Sequence, residues 1–442
     1  MCSKKNNILR IVLIGAFLSP SIVMADYGLH MYQDFNHSSA GKNTLTENAT
    51  TAFSNPAGMG YLEGKHQFSV DLKYYMPSAT FTDTGSTDVA SAPLTGSNGG
   101  DAGQDTAVPG FYYTYHLNEQ WSLGATVNVP FGLSTEWDDV NWIGRYQSVK
   151  IGIETLNVNP SASVKLNNAW SVGFGLSIQR AEANMTNAID LAAVCLSTFT
   201  PVQCASIGIT APQTADGLLE LEGDDTGYGF NFGLLYKQNR TTVGLTYRSK
   251  IDYTLEGSAN FTTPPPPIET AFFPLFTDTQ GKVDLTLPEV ISLGFKYDYG
   301  QWAWMADATL TKWSRIKEYR IQFENPFQPD LVIPRNWEDT WRFAIGADYR
   351  YSQALALQGG IAYAKSAIPD STFDPTIPVS DAYWINLGFT YYPSKTMNLE
   401  VGLSHIIFDD REINYTGAYG ETVRGSIDND LNVFSATLNW SI

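Results

Sequence analysis

Few residues in this chain are arranged for bond-making chemistry. The five histidines, His30, His37, His66, His116 and His405, fall in no nucleophile or metal-ligand spacing, and no glycine loop of the phosphate-cradling kind occurs. An enzyme, a metal centre and a cofactor are therefore not expected. What the sequence offers instead is apolar side chains in segments that otherwise read as loops. The stretch 188–209 carries Leu191, Leu196 and Phe199 among other apolar residues, and the stretch 262–281 carries Phe272, Phe273 and Phe276. Exposed apolar clusters mark binding surfaces; the other reading is that the two stretches pack on each other as a lid. Cys195 and Cys204 bracket LSTFTPVQ in the first stretch, and in an oxidising compartment they are expected to form a local disulfide.

These segments must be held by something, and the rest of the chain reads as strands. From His66 onward, period-two alternation recurs in about fourteen segments, starting near residues 67, 108, 121, 149, 170, 227, 241, 283, 302, 341, 354, 383, 397 and 432. In the tenth, Trp341, Phe343 and Ile345 fall on one face and Arg342, Ala344 and Gly346 on the other. One face suits lipid and the other a polar lumen. Tight turns at Leu117–Gln120, Asn167–Asn168, Gln238–Arg240, Tyr299–Gly300 and Pro393–Lys395 alternate with long loops at 83–106, 188–225, 262–281, 325–336 and 369–379. This predicts an all-β transmembrane antiparallel barrel spanning residues 65–442, with short periplasmic turns and long external loops. In the third segment, Pro130 has no N–H for a ladder and Gly132 weakens pairing beside it, which predicts a kink. A closed barrel has no edge to absorb such a break, so a local gap in the wall follows.

Before the strands, residues 26–64 lack a clean period, with short helical turns possible around 27–35 and 45–52. Asn55-Pro56-Ala57 closes this segment: Pro56 disfavours helix at Asn55, and Gly58 and Gly60 let the chain bend again. The segment is expected to fold back into the barrel as a hatch. Residues 1–25 read as a secretory signal, with Lys4, Lys5 and Arg10 ahead of an apolar run and Val23-Met24-Ala25 at the cleavage site. Cys2 lies in this segment and does not follow an apolar run. Removing its three basic residues takes the net charge from −18 to −21. So acidic a chain excludes nucleic acid as a partner. Charged residues make up only 16% and aromatics 13%, which favours a lipid-exposed surface over soluble domains, where about 25% is charged. No later apolar run is long enough for a spanning helix, so a membrane location requires a closed sheet.

The hatch stretch Ser38-Ser39-Ala40-Gly41 followed by Asn55-Pro56-Ala57-Gly58-Met59 resembles the FadL family of outer-membrane long-chain fatty-acid transporters. Further matching stretches include Trp142–Tyr146, Asn157–Ser161, Asn168–Gly173, Leu287–Glu289, Asn336–Arg342 and Tyr383–Ile385. The resemblance implies a bacterial outer-membrane barrel that takes up long-chain fatty acids or similar hydrophobic molecules by passive diffusion past a ligand-gated hatch. It gives the apolar loops the role of an external capture groove and the kink that of a lateral exit into the membrane. It also implies two basic residues for the cargo carboxylate, and position selects Arg180 and Arg320, although strand parity turns both outward in a regular strand. No cofactor is implied. Expected partners are the hydrophobic cargo, outer-membrane lipid and the barrel-assembly machinery, and a monomer is expected. An aromatic-hydrocarbon channel of the same build and a surface receptor or adhesin are the alternatives.

Overall fold

The computed structural model describes residues 40–442. The signal segment 1–25, Cys2 and the first part of the expected hatch, 26–39, lie outside the described residues. The strands are β1 (His66–Asp83), β2 (Thr106–His116), β3 (Trp121–Asn128), β4 (Gly132–Glu136), β5 (Lys150–Lys165), β6 (Trp170–Asp190), β7 (Asp216–Gln238), β8 (Thr241–Arg248), β9 (Ile251–Thr262) and β10 (Thr279–Leu287). They continue as β11 (Val290–Tyr299), β12 (Trp302–Thr311), β13 (Glu318–Phe323), β14 (Leu331–Pro334), β15 (Thr340–Arg350), β16 (Leu355–Ala364), β17 (Ala382–Tyr391), β18 (Met397–Phe408), β19 (Arg411–Thr416) and β20 (Thr422–Ser441).

Every ladder is antiparallel, and β20 pairs with β1, so the sheet closes on itself. Several of these strands are two stretches of one wall strand: β3 with β4, β8 with β9, β10 with β11, β12 with β13, β14 with β15, and β18 with β19 each flank a short break. Counted this way, the described residues form a closed barrel of fourteen strands. Closure removes the open edges that lipid cannot satisfy. No helix among the described residues is long and apolar enough to cross a membrane.

Alternation decides which side each residue faces. Around the barrel, Leu72, Phe111, Leu123, Phe174, Phe232, Leu293, Trp304, Phe343, Ile361, Leu387, Leu403 and Phe434 point outward as an exposed apolar belt. Their neighbours in sequence, such as Ser69, Thr126, Asn159, Ser171, Asn231, Ser292, Arg342, Asn386 and Ser435, are buried in the lumen. The aromatic, leucine-rich outward face and the mostly small, polar inward face are those expected of a sheet with lipid outside and water inside.

Two strand starts differ from the periodicity-based reading. β7 begins at Asp216 rather than near 227, and β20 at Thr422 rather than near 432. In the added stretch of β20 the apolar residues Val423, Ile427 and Leu431 face inward and are buried, while Arg424, Asp428 and Asp430 face out. Further along the same strand, Phe434 and Leu438 face out. The apolar stripe therefore crosses from one face to the other along a single strand. A pattern search for one continuous stripe ends where the stripe changes sides. For the same reason the expected loop 188–225 contains the end of β6, two helices, α2 (Leu191–Thr198) and α3 (Pro201–Ser206), and the start of β7. The expected loop 262–281 holds a short helix (Ile268–Phe272), and 325–336 contains β14.

Candidate functional site

The short-turn half of the lumen is filled by residues 41–62. Asn55 is extended (φ −151°, ψ 95°) between a one-turn helix over Thr51–Ser54 and a 3-10 turn over Pro56–Tyr61, where Pro56 takes the first position. The Asn55 side chain accepts from the Ala57 amide (3.2 Å) and donates to the Asn43 carbonyl (2.7 Å), so it ties two turns of the segment together. Wall residues hold the segment in place. Ser171 donates to the Ala57 carbonyl (2.7 Å), Asp307 accepts from the Gly41 amide (2.7 Å), and Lys296 pairs with Glu47 (2.6 Å). Arg248 donates to the Phe53 carbonyl (2.9 Å) and lies over the Phe53 ring at 3.8 Å.

Glycines on the facing strands allow this approach. A Cβ on Gly173 would lie 2.4 Å from the Ala57 nitrogen, one on Gly233 2.1 Å from the Asn55 amide oxygen, and one on Gly244 1.9 Å from the Asn43 carbonyl. No side chain fits at those distances, so the wall at these points must be bare backbone. Replacing Asn55 with Ala removes the link between turns and leaves the Asn43 carbonyl unpaired, which costs about 1–3 kcal/mol of local stability. Single-channel recording of Asn55→Ala should show brief openings that the parent lacks, and an equally silent trace would place the closing contacts elsewhere.

The long-loop half of the lumen is different. There the inward positions are Ile151 and Ile153 on β5, Ala183 and Met185 on β6, and Leu221 on β7. They continue with Leu255 on β9, Val283 and Leu285 on β10, and Tyr319 and Ile321 on β13; together with Leu133 these line a cavity of about 110 Å³. On β5 the same inward row reads Ser163, Ser161, Asn159, Asn157 and Thr155 before it turns apolar at Ile153. Outside this level the wall is polar: Glu182, Glu222, Asp224, Asp252 and Glu256 are exposed. The inversion of the stripe thus makes an apolar well above a polar, plugged lumen.

Loops close the mouth of this well. Trp142 stacks on Trp137 with ring centroids 3.9 Å apart, and Phe373, Ile377 and Val379 bury themselves in the same apolar cluster as Leu133, Ile153, Leu255 and Leu285. Arg145 joins the loops around the rim, pairing with Asp216 (2.8 Å) and donating to the Thr95 carbonyl (2.6 Å). Beside it Glu421 accepts from Gln147 (2.5 Å), and burial pushes the Glu421 carboxyl up to about 7.

The wall breaks where Pro130 sits. β3 pairs with β5 up to Asn128↔Asn157 and β4 resumes at Gly132↔Glu154, so Val129, Pro130 and Phe131 stand opposite only Thr155 and Leu156. The Thr155 hydroxyl accepts from the Phe131 amide (3.0 Å) and donates to the Phe131 carbonyl (2.7 Å), replacing the missing ladder bonds. β4 pairs with β5 alone and has no ladder to β2. Gly132 lies just beyond the break, as the first paired residue of β4. Residues 132–135 are buried on both faces, unlike the alternating strands around them. Beyond Asn128 the third wall strand has therefore turned inward, toward the well.

Of the residues singled out by sequence, Leu191 and Phe272 are buried together in a second apolar cluster with Ile189, Ile209 and Leu219, and Leu196 and Phe276 pack against it half-buried. Phe199 (46%) and Phe273 (72%) remain exposed. The two loops pack on each other and still present apolar residues to solvent. Cys195 and Cys204 are joined as a disulfide linking α2 to α3. Arg180 and Arg320 are not in the lumen. Both face out and are exposed, Arg180 against Glu182 (2.9 Å) and Asp224 (3.4 Å), Arg320 against Glu318 (2.8 Å) and Asp330 (3.4 Å). They sit where the outward face has turned polar, and exposed pairs of this kind add little stability. The sequence reading missed the apolar well, Thr155 and the glycine face. Following the inward row of β5 or β6 past the point where it changes from Ser and Asn to Ile, Ala and Met would have found the first.

Known proteins fit this geometry. A family model described as outer membrane protein transport protein (OMPP1/FadL/TodX) matches residues 33–441. The long-chain fatty acid transport protein of Escherichia coli O6:H1 is 28% identical over 385 residues, covering 83% of each chain. The putative outer membrane protein NMB0088 of Neisseria meningitidis is 27% identical over 434 residues, 93% of this chain and 92% of that one. Among solved structures, a Pseudomonas aeruginosa FadL homologue superposes with a TM-score of 0.85 at 23% identity, covering 94% of this chain and 98% of the other. The Pseudomonas putida toluene transporter TodX gives 0.69 at 18% identity, with 92% and 99% covered. A closed fourteen-strand wall, a plugged lumen and a family match over nearly the whole chain together make this protein a member of the OMPP1/FadL/TodX family of outer-membrane transport proteins.

Proposed function

We propose that this barrel carries long-chain fatty acids or closely related apolar molecules inward across the outer membrane by diffusion. The cargo is captured at the apolar loops, passes into the well, and leaves sideways through the break at Val129–Phe131. The observation that carries this reading is the inversion of the apolar stripe, because an apolar lining serves no purpose in a channel for water-soluble solutes. A buried methylene contributes about 0.8 kcal/mol, so an alkyl chain gains affinity from the well in proportion to its length. The 110 Å³ cavity is below the roughly 300 Å³ of a drug-sized ligand site, so entry requires the loops at the mouth to give way. The name of the Escherichia coli relative favours a fatty acid, and the fold of the toluene transporter keeps an aromatic hydrocarbon as the second reading.

The test is what the protein retains. Solvent extracts of protein purified from cells fed mixed lipids should contain long-chain acids, and Ile153→Asp with Leu285→Asp should lose them, since the charges would stand in the well. An extract free of apolar molecules, or one unaffected by the two charges, would remove the basis of the proposal.

A further inference from the structure

Loop 367–381, between β16 and β17, does more than cover the mouth. Ile368, Phe373, Ile377 and Val379 are buried in the cluster that includes the well's Leu133, Ile153, Leu255 and Leu285. Among these apolar side chains the loop carries one buried carboxylate, Asp374, and it pairs with Arg335 at 2.8 Å. Both side chains are 3% exposed or less. The loop thus brings an acid and several apolar groups into the mouth of an apolar well, which is the composition of a fatty acid.

Arg335 is fixed by its surroundings rather than by this one partner. Its amide donates to the Lys317 carbonyl (2.8 Å), its carbonyl accepts from the Thr372 hydroxyl (2.6 Å), and its guanidinium lies 5.0 Å from the centre of the Tyr319 ring. Tyr319 is itself part of the well's lining, so the cation stands one aromatic ring from the cavity. Its Nε is buried with no hydrogen-bond partner among the described residues. A guanidinium has five donors in a fork matched to a carboxylate, and here a donor remains for a better-placed acid.

We propose that Arg335 is the residue that recognises an acid head group on the cargo, and that Asp374 is an intramolecular carboxylate which the cargo's carboxylate replaces. The inference rests on the proposed passage of apolar cargo and adds its head-group chemistry. Exchange of one carboxylate for another keeps the buried cation paired throughout, whereas simply withdrawing Asp374 would leave an uncompensated charge. An acid cargo can therefore release the loop, and with it Phe373 and Ile377, from the mouth. A hydrocarbon or an ester cannot make the exchange. Arg411, which pairs with Asp370 (2.6 Å) and lies over Phe373 at 4.0 Å, remains as the outer tether of the loop.

The experiment compares an acid with its neutral counterpart. 11-Bromoundecanoic acid and its methyl ester are titrated against the whole detergent-purified protein, reading the quenching of tryptophan fluorescence, with Trp313 and Trp337 in the cluster beside the well. The ratio of acid to ester affinity should rise about tenfold in Asp374→Asn, where the intramolecular competitor is gone, and fall to about one in the double variant Arg335→Gln, Asp374→Asn. The double variant leaves no buried charge unpaired, so it tests the idea even if the single variant fails to assemble. A ratio that is the same in the parent and the double variant makes Arg335–Asp374 a structural staple and overturns the inference. Binding of the ester but not the acid by the parent overturns it as well and leaves the passage of apolar cargo standing. Binding of neither probe by the parent overturns both.

Discussion

Deletion of residues 26 to 60 is expected to leave a barrel that assembles at normal yield but conducts ions steadily in a planar bilayer, where the intact protein is nearly silent. A fourteen-strand barrel is wider than its side chains can fill, and the inward face of its short-turn half is polar, with Ser161, Thr126, Asn231 and Gly173 beside charged residues such as Asp71, Lys73 and Asp307. With the segment gone, those residues line an aqueous hole. Each hydrogen bond to the segment, such as Ser171 to Ala57 or Asp307 to Gly41, then passes to water at little cost, because every wall group involved is polar. Assembly does not depend on these contacts, since the ladders close through β1 and β20 without them. A subtler version leaves the segment in place: Gly233→Val introduces a branched side chain whose Cβ would lie 2.1 Å from the Asn55 amide oxygen, and it should leak without any deletion. A deletion protein as tight as the parent would mean that the closure lies in the mouth loops.

The wall of this barrel was legible in the sequence because lipid and lumen write opposite requirements on alternate residues. Trp341, Phe343 and Ile345 outward with Arg342 and Ala344 inward could be assigned without a structure. What escaped was everything governed by height along the barrel. Above the apolar belt the outward face meets water and the inward face lines the apolar well, so the stripe changes sides: Phe434 and Leu438 out, Ile427 and Leu431 in. A window that spans the crossing averages the two phases and sees neither. Arg180 was selected by its position in the family resemblance, against its own parity: it follows Phe174, Leu176 and Ile178 on the outward row, and the structure keeps it there, at the rim, paired with Glu182. Arg335 was missed for a different reason. It lies in a short irregular link after β14, and its partner Asp374 is in a loop of separate origin, so no local pattern joins them. The Asn-Pro-Ala stretch was visible as turn chemistry, whereas the glycines that receive it, Gly173, Gly233 and Gly244, are spread over three strands and look ordinary one at a time.

Closing the gap in the third wall strand should cut uptake about tenfold or more without reducing barrel yield, provided that the repair addresses the register as well as the proline. Pro130→Val with Gly132→Thr restores a missing donor and strand-forming side chains, but it leaves three residues, Val129 to Phe131, opposite two on β5. The surplus residue still has to bulge, and the Thr155 hydroxyl still holds both polar groups of Phe131. That variant is therefore expected to lose only part of the uptake. Removing Val129 in the same background equalises the two sides, so that β3 and β4 can run as one strand. The repaired strand can then pair with the part of β2, Thr106–Gly110, that is bonded to β1 and has no ladder to β4. Because β4 is now buried on both faces, straightening it also withdraws Leu133 from the well and widens the cavity. Binding of an apolar probe should consequently survive or strengthen while its transfer into the membrane stops. That separation of binding from transfer is the signature of a lost exit. If uptake continues unchanged through the continuous wall, the cargo leaves past residues 41–62 into the periplasm, and the kink serves the shape of the well alone.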